Sequence, residues 1–341
     1  MKKTTWLLLG LLIVTVGCLP APTPTPVSTL IPMITTGNVA RVIPSLTLKG
    51  HTDSVSSVKW SPDGATIASG AHDKRVILWD AKTGDVIRKL EVGKPVLSVA
   101  WSPNGATLAT VSGEKTVTIW NTSTGERLLT TAEGHEEMRC VAWSPDGTML
   151  ASGSFNMVYV WDAKTGKQLL RLIPNVSGGI ISRWMLDVAW SSDSTRVAAG
   201  VLDDSVFVWS VKSGDVVMWY WGATGGPFSG MRSVAFSQDD KLLAAAAYGK
   251  LRVLDTATGK PLRELTDSFQ FVWSAAWSPN GTLLASTSAS GTTLWDAGTG
   301  NLLRTLKEHS KDVNSVAWSP NGTMFVTGSE DSTVILWKLG Q

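Results

Sequence analysis

From residue 55 onward, apolar and polar positions alternate in short bursts separated by turn residues. Val58 and Trp60 flank Lys59 and lead into Ser61-Pro-Asp-Gly64. There proline presets φ, and Asp-Gly supplies a tight turn. Thr66–Ser69 predicts a second strand, and Arg75-Val-Ile-Leu-Trp79 a third, rich in β-forming residues. Asp80-Ala-Lys-Thr-Gly84 is another turn, and Val86–Leu90 predicts a fourth strand.

This unit recurs. Segments related to Ser61–Gly64 follow Trp101, Trp143, Trp190, Phe236, Trp277 and Trp318, at intervals of 41, 42, 47, 46, 41 and 41 residues counted from Trp60. A second marker stands 18 or 19 residues after each: Trp79, Trp120, Trp161, Trp209, Leu254, Trp295 and Trp337. A fixed period of this size marks a repeat architecture. Four short strands per unit, repeated radially, predict an all-β propeller.

The markers carry a family resemblance. Trp-Asp pairs stand at Trp79-Asp80, Trp161-Asp162 and Trp295-Asp296, and Gly-His pairs at Gly50-His51 and Gly134-His135, with Glu308-His309 as a variant. In these residues the chain resembles the WD40-repeat family. The resemblance implies a seven-bladed propeller over residues 44–341 with four-stranded antiparallel blades. The last repeat ends after its third strand. Pro44–His51 resembles Asn301–His309, so the N-terminal strand is expected to complete the seventh blade and remove two sheet edges.

The same resemblance assigns the histidines. In the family a histidine, a hydroxyl, a turn Asp and a Trp form a buried hydrogen-bonded tetrad. Here that implies His51, Ser69, Asp73 and Trp79, and His309, Thr327, Asp331 and Trp337. A third set, His135, Ser152 and Trp161, has Asn156 in place of Asp. His51, Asp73 and Ser69 also have the composition of a catalytic triad. Their recurrence between blades favours structure, and no catalytic residue is assigned. His72 is left over. No metal-ligand spacing, phosphate-cradling loop or calcium loop is visible, so no metal and no cofactor is expected. Cys140 lies in a strand beside Val141 and is read as a buried, inert thiol.

Before the repeats the pattern changes. Lys2 and Lys3 precede an apolar run from Trp6 to Gly17, too short for a membrane span and suited to a secretory signal over residues 1–17. Thr15-Val-Gly-Cys18 resembles the lipobox of bacterial lipoproteins, with Thr15 where leucine is usual, and implies lipidation of Cys18. Leu19-Pro-Ala-Pro-Thr-Pro-Thr-Pro26 favours polyproline II, so residues 18–43 read as a tether. The resulting expectation is a bacterial protein, extracytoplasmic, anchored to the membrane by lipid on its periplasmic side or at the cell surface.

Charge adds one exclusion. The chain has 341 residues, 30 basic and 28 acidic, and losing Lys2 and Lys3 leaves 28 against 28. That balance gives no case for nucleic acid as a partner. Of 17 tryptophans, most mark repeat strands, and Trp184, Trp219, Trp221 and Trp273 are left without that account.

In the family two positions per repeat look onto the partner-binding face. One lies four residues before the inner-strand aromatic: Ser56, Leu97, Arg139, Leu186, Arg232, Trp273 and Asn314. The other precedes the tetrad Asp position: His72, Gly113, Phe155, Leu202, Tyr248, Ala289 and Glu330. Arg139, Phe155, Arg232, Tyr248 and Trp273 cluster in repeats three to six, and aromatic and Arg residues are enriched at binding hot spots. Trp184 ends one of two long connections, Pro174–Arg183 and Gly222–Gly230. With His72, these residues are the candidate partner-binding set. The reading is a monomeric, non-catalytic scaffold that binds a protein or peptide on its top face. A propeller enzyme (hydrolase, lyase or quinone-dependent dehydrogenase), a glycan-binding module that stacks sugar on Trp184 or Trp273, and a structural brace in a larger complex remain open. Trp219 and Trp221 alternate on an outer strand and form either an inter-blade contact or a side patch.

Overall fold

Each predicted unit folds as one sheet. The computed structural model describes residues 32–176, 179–180, 183–222, 230–266, 271–289 and 291–340. The first blade pairs Val55–Trp60, Thr66–Ala71, Arg75–Asp80 and Val86–Glu91 in that order, from the innermost strand outward. Every neighbouring pair is antiparallel. The innermost strands of the following blades are Ser98–Trp101, Cys140–Trp143, Met185–Trp190, Ser233–Phe236, Val272–Trp277 and Val313–Trp318. Seven four-stranded sheets form the propeller among the described residues. A short hairpin, Asn175–Val176 with Gly179–Ile180, lies in the connection from the third blade to the fourth.

The turn between the two inner strands shows why the sequence folds this way. The Ser61 hydroxyl donates to Asp63 (2.5 Å) and accepts from the Thr66 amide (2.9 Å), which closes the hairpin. Gly64 then takes the left-handed conformation, φ 70°, where it escapes the Cβ penalty. In the fourth and fifth blades Ser194 and Asp240 hold that conformation at φ 60° and 58°. Both side chains tie neighbouring blades together. Ser194 Oγ accepts from the Asp146 amide (3.1 Å), and Asp240 accepts from the Ser192 amide (2.9 Å) and hydroxyl (2.6 Å).

Inner-strand tryptophans stitch the ring. The Trp60 indole donates to the Ala317 carbonyl, Trp101 to Lys59, Trp190 to Ala142, Trp277 to Ala235 and Trp318 to Ala276, at 3.0–3.2 Å. Each bond runs back to the preceding blade and contributes roughly 0.5–1.5 kcal/mol. The tryptophan excess in the sequence is therefore partly an inter-blade bonding system.

The ring closes as expected. Val42–Lys49 is the outermost strand of the seventh blade and pairs with Thr333–Leu339, from Val42 opposite Leu339 to Lys49 opposite Thr333, with a shift between Pro44 and Leu46. The strand starts two residues before the expected Pro44. The tether expected up to residue 43 differs at its end: Ile34 is fully buried, and its amide donates to Gly322 O (2.9 Å). Ile34, Val39 and Val42 pack with Leu283, Val316, Phe325 and Trp337, so residues 34–42 extend the core of the last two blades. The apolar side chains are the physical reason, because exposing them would forfeit roughly 25 cal/mol per Å². The expected signal over residues 1–17, Cys18 and the tether up to residue 31 lie outside the described residues. No helix among the described residues is long and apolar enough to cross a membrane.

Candidate functional site

Two polar networks anchor the connections that enter the first and seventh blades. Trp79 Nε1 donates to Ser69 Oγ (2.8 Å), which meets His51 Nε2 (2.7 Å), while His51 Nδ1 meets Asp73 (2.8 Å). The carboxylate accepts only, so the ring proton belongs on Nδ1 and Nε2 accepts from the Ser69 hydroxyl. The second network repeats it: Trp337 to Thr327 (2.9 Å), Thr327 to His309 (2.9 Å) and His309 to Asp331 (2.9 Å). Burial lowers the pKa of both imidazoles, and the facing carboxylates oppose that only in part. Burial works against ionisation of Asp331, but hydrogen bonds from Thr333, the Ser310 amide and His309 hold it at about 2. Ser69 is fully buried and engaged by both Trp79 and His51, so its oxygen faces no cleft.

The third expected network is a correction. His135 is exposed, and its Nε2 contacts Arg171 (3.0 Å) rather than Ser152. The Ser152 hydroxyl donates instead to Met138 Sδ (3.2 Å) while accepting from Trp161 (2.8 Å). The apolar Met138, fully buried, takes the space a tetrad histidine would fill. In the fourth and fifth blades the hydroxyl itself is gone: Ala199 and Ala245 stand at that position, both fully buried.

The innermost strands surround a central cavity of about 1060 Å³. All seven residues expected four places before the inner aromatics line it: Ser56, Leu97, Arg139, Leu186, Arg232, Trp273 and Asn314. His72 and Glu330 line it as well, whereas Phe155, Trp184 and Tyr248 do not. A ring of inner-strand serines bonds to the next blade: Ser57 accepts from Val99 N (3.3 Å), and Ser315 from Val58 N (3.1 Å). Asp187 takes the serine's place in the fourth blade and accepts from the amides of Val234 (3.0 Å) and Val188 (2.9 Å). Burial raises its pKa, against the pull of Lys59 and these hydrogen bonds. Cys140 takes the place in the third blade, and burial pushes its thiol well up.

Two constellations stand at one end of the cavity. In the first, the Arg139 guanidinium lies 4.2 Å from the Trp184 ring centroid, and Phe155 meets Trp184 edge-on at 5.3 Å. Backbone pairing between Phe155 and Trp184, and the Asn156 amide on Arg183 O (2.8 Å), fix the two segments together. In the second, Arg232 lies 4.5 Å from Trp273 and 6.0 Å from Phe271, Phe271 stacks on Trp273 at 5.4 Å, and Tyr248 meets Phe271 edge-on at 4.8 Å. Tyr248 also pairs with Phe271 through the backbone. The two sets are the same device built two blades apart. Each joins an Arg immediately before the innermost strand, an aromatic from the turn between the second and third strands, and an aromatic six residues before the next inner-strand marker.

Phe271 is the residue that sequence reasoning missed. Its signal was present, since it stands six places before Trp277 as Trp184 does before Trp190. Burial and the charge on Arg139 both lower the pKa of Arg232. Neither arginine forms an ion pair with a carboxylate among the described residues. His72 is exposed at the cavity edge and belongs to neither constellation. Trp219 and Trp221 are 48% and 60% exposed on the outermost strand of the fourth blade, so they form a side patch away from the cavity. Of the long connections, residues 177–178, 181–182 and 223–229 lie outside the described residues. No cluster of His, Cys, Asp and Glu able to hold a metal occurs among the described residues.

A family model described as "WD domain, G-beta repeat" matches residues 43–80, 84–121, 126–162, 178–210, 259–296 and 300–338. Most of the fifth blade, with Leu254 and Ala245, falls between the matched segments. Protein Mut11 of Chlamydomonas reinhardtii is 60% identical over 37 residues, 11% of this chain and 10% of that protein. The ribosome biogenesis protein BOP1 homolog of Drosophila virilis is 44% identical over 54 residues, 16% of this chain and 7% of that protein. The Drosophila ananassae counterpart is 49% identical over 49 residues, 14% of this chain and 6% of that protein. The chain thus spans a tenth or less of the length of these relatives. These matches overturn the expectation of a bacterial lipoprotein. The relatives are eukaryotic proteins, two of them named for ribosome biogenesis, a process inside the cell. The lipid anchor, the membrane as a partner and the extracytoplasmic location are withdrawn with it.

Proposed function

The chain belongs to the WD40 family of G-beta repeat propellers, and from that premise we propose that it is a non-catalytic interaction platform that binds a protein or peptide over the mouth of its central cavity. The paired constellations of Arg139, Phe155 and Trp184, and of Arg232, Tyr248, Phe271 and Trp273, carry this reading. Planar cations laid on half-buried rings form rigid anchors of the kind enriched at binding hot spots. They stand on strand ends and short turns, so their geometry is preset and little ordering entropy is lost on binding. Segments shared with proteins named for ribosome biogenesis support work inside a larger assembly. The buried tetrads support structure rather than turnover, because their hydroxyls are engaged on both sides.

The test is the double variant Arg139→Ala, Trp273→Ala, which removes one anchor from each constellation. Crosslinking in cells, followed by mass spectrometry, should lose the partners captured by the parent chain while the thermal melt stays cooperative. Recovery of the same partners from the variant would place the binding surface elsewhere.

A further inference from the structure

Arg139 and Arg232 face the same cavity mouth without a carboxylate partner among the described residues. Each lies on an aromatic ring rather than pairing with an acid. Each therefore keeps donors free, in a place where the rings exclude water from one side. Of the two acids that line the cavity, Asp187 already accepts from the Val188 and Val234 amides. Glu330, the other acid of the lining, belongs to the seventh blade. This end of the cavity is positive on the third and fifth blades and apolar between them, where Leu186 of the fourth blade lines it.

We infer that the segment bound here is an acidic peptide, whose side-chain carboxylates engage Arg139 and Arg232 while apolar side chains between them rest on Leu186 and the flanking rings. The inference rests on the peptide-binding reading above and adds the chemistry of the partner. A nucleic acid fits less well. Phosphate recognition draws its affinity from many cations along a track, and this chain carries 30 basic against 28 acidic residues with two arginines at the mouth. Carboxylates need only the two forks, each able to bind in bidentate fashion.

The experiment measures fluorescence anisotropy of the full chain with three labelled probes: a short peptide alternating Glu and Leu, the same peptide with Gln for Glu, and an oligouridine. The Glu peptide should bind, weaken as salt rises, and lose about tenfold or more in affinity in the variant Arg139→Gln, Arg232→Gln. Arg139→Lys, Arg232→Lys, with the charge kept but the forks lost, should bind between the parent and the Gln variant, and melts of both variants check folding. Equal binding of the Gln and Glu peptides overturns the acidic partner and leaves the peptide reading standing. Oligouridine binding tighter than the Glu peptide overturns the peptide as the class of partner. Absence of binding by the Glu peptide, with in-cell capture still lost in Arg139→Ala, Trp273→Ala, overturns the acidity alone. If that capture is also unchanged, both readings fall.

Discussion

The first and seventh blades keep what the fourth and fifth have given up. In the first pair, a histidine from the incoming connection is bonded through a hydroxyl to a tryptophan and through its other nitrogen to an aspartate. In the second pair, Ala199 and Ala245 replace the hydroxyl, Leu254 replaces one tryptophan, and the Trp209 indole turns to the Ile173 carbonyl (3.2 Å). The histidine pins its connection to the blade. Connections without one are free to carry other residues, and these supply Trp184 and Phe271 to the mouth. The lesson is a division of labour. The blades that meet at the chain ends spend a buried histidine on closure, and the middle blades, held by apolar packing and by inter-blade bonds to Asp187, Ser194 and Asp240, leave their connections for recognition.

The largest effect should come from breaking the closed side. Deleting residues 42–50 removes the strand paired with Thr333–Leu339 and frees His51 from its anchored position. It also strips Val42 and Leu48 from the cores of the last and first blades. The loss should exceed the roughly 5–15 kcal/mol that holds a domain folded. Circular dichroism should show no cooperative melt. A truncated chain that melts like the parent would mean that the ring does not depend on this strand.

A moderate effect is expected from protons. Burial depresses the pKa of His51 and His309 below the ordinary 6.5, so between that value and the folded one the unfolded chain binds more protons than the native chain. Stability should therefore fall as pH drops through 6.5, and go on falling until the depressed folded-state values are passed. Asp187 works in the opposite direction, because its raised pKa means that the native chain takes up a proton first as pH falls. The variant His51→Gln, His309→Gln isolates the histidine contribution. It should be less stable at neutral pH by about 2 kcal/mol or more, with a flatter fall in melting temperature on acidification. An unchanged slope would show that the tetrads do not govern the acid response.

The fold was legible because the repeat is written redundantly. Even where the fifth unit loses its tryptophan and its hydroxyl, Phe236 and Leu254 keep the spacing. The closing strand was legible from the likeness of Pro44–His51 to Asn301–His309, but its start at Val42 and the docking of Ile34 were not. Ile34 lies in a proline-rich context whose local preference is extended, and only the shared core of the sixth and seventh blades makes burial favourable. His135 followed its motif into the wrong place, because the sequence does not reveal that Met138 competes for the same space. The mouth residues were legible as positions and not as a constellation. Arg139 on Trp184, and Arg232 on Trp273 beside the stacked Phe271, depend on how connections of unequal length bring residues of adjacent blades together. The leader-like segment misled, since an apolar run before a cysteine carries no information about the fold that follows.

The smallest stability effect should come from the mouth itself. Neutralising Arg232 by Arg232→Gln removes its repulsion from Arg139 and the desolvation of a half-buried charge. It also forfeits the contact with Trp273, a cation–π interaction worth roughly 0.5–1 kcal/mol. These terms oppose each other, so denaturant unfolding should change by no more than about 0.5 kcal/mol. The sign of the residue separates the two regions. A group retained for closure costs stability when it is cut out, as the tetrad histidines should. A group retained for recognition leaves the free chain unmoved, because its favourable partner is absent until binding. A loss of about 2 kcal/mol or more on Arg232→Gln would assign the arginine to packing of the cavity mouth and erase the division between the blades.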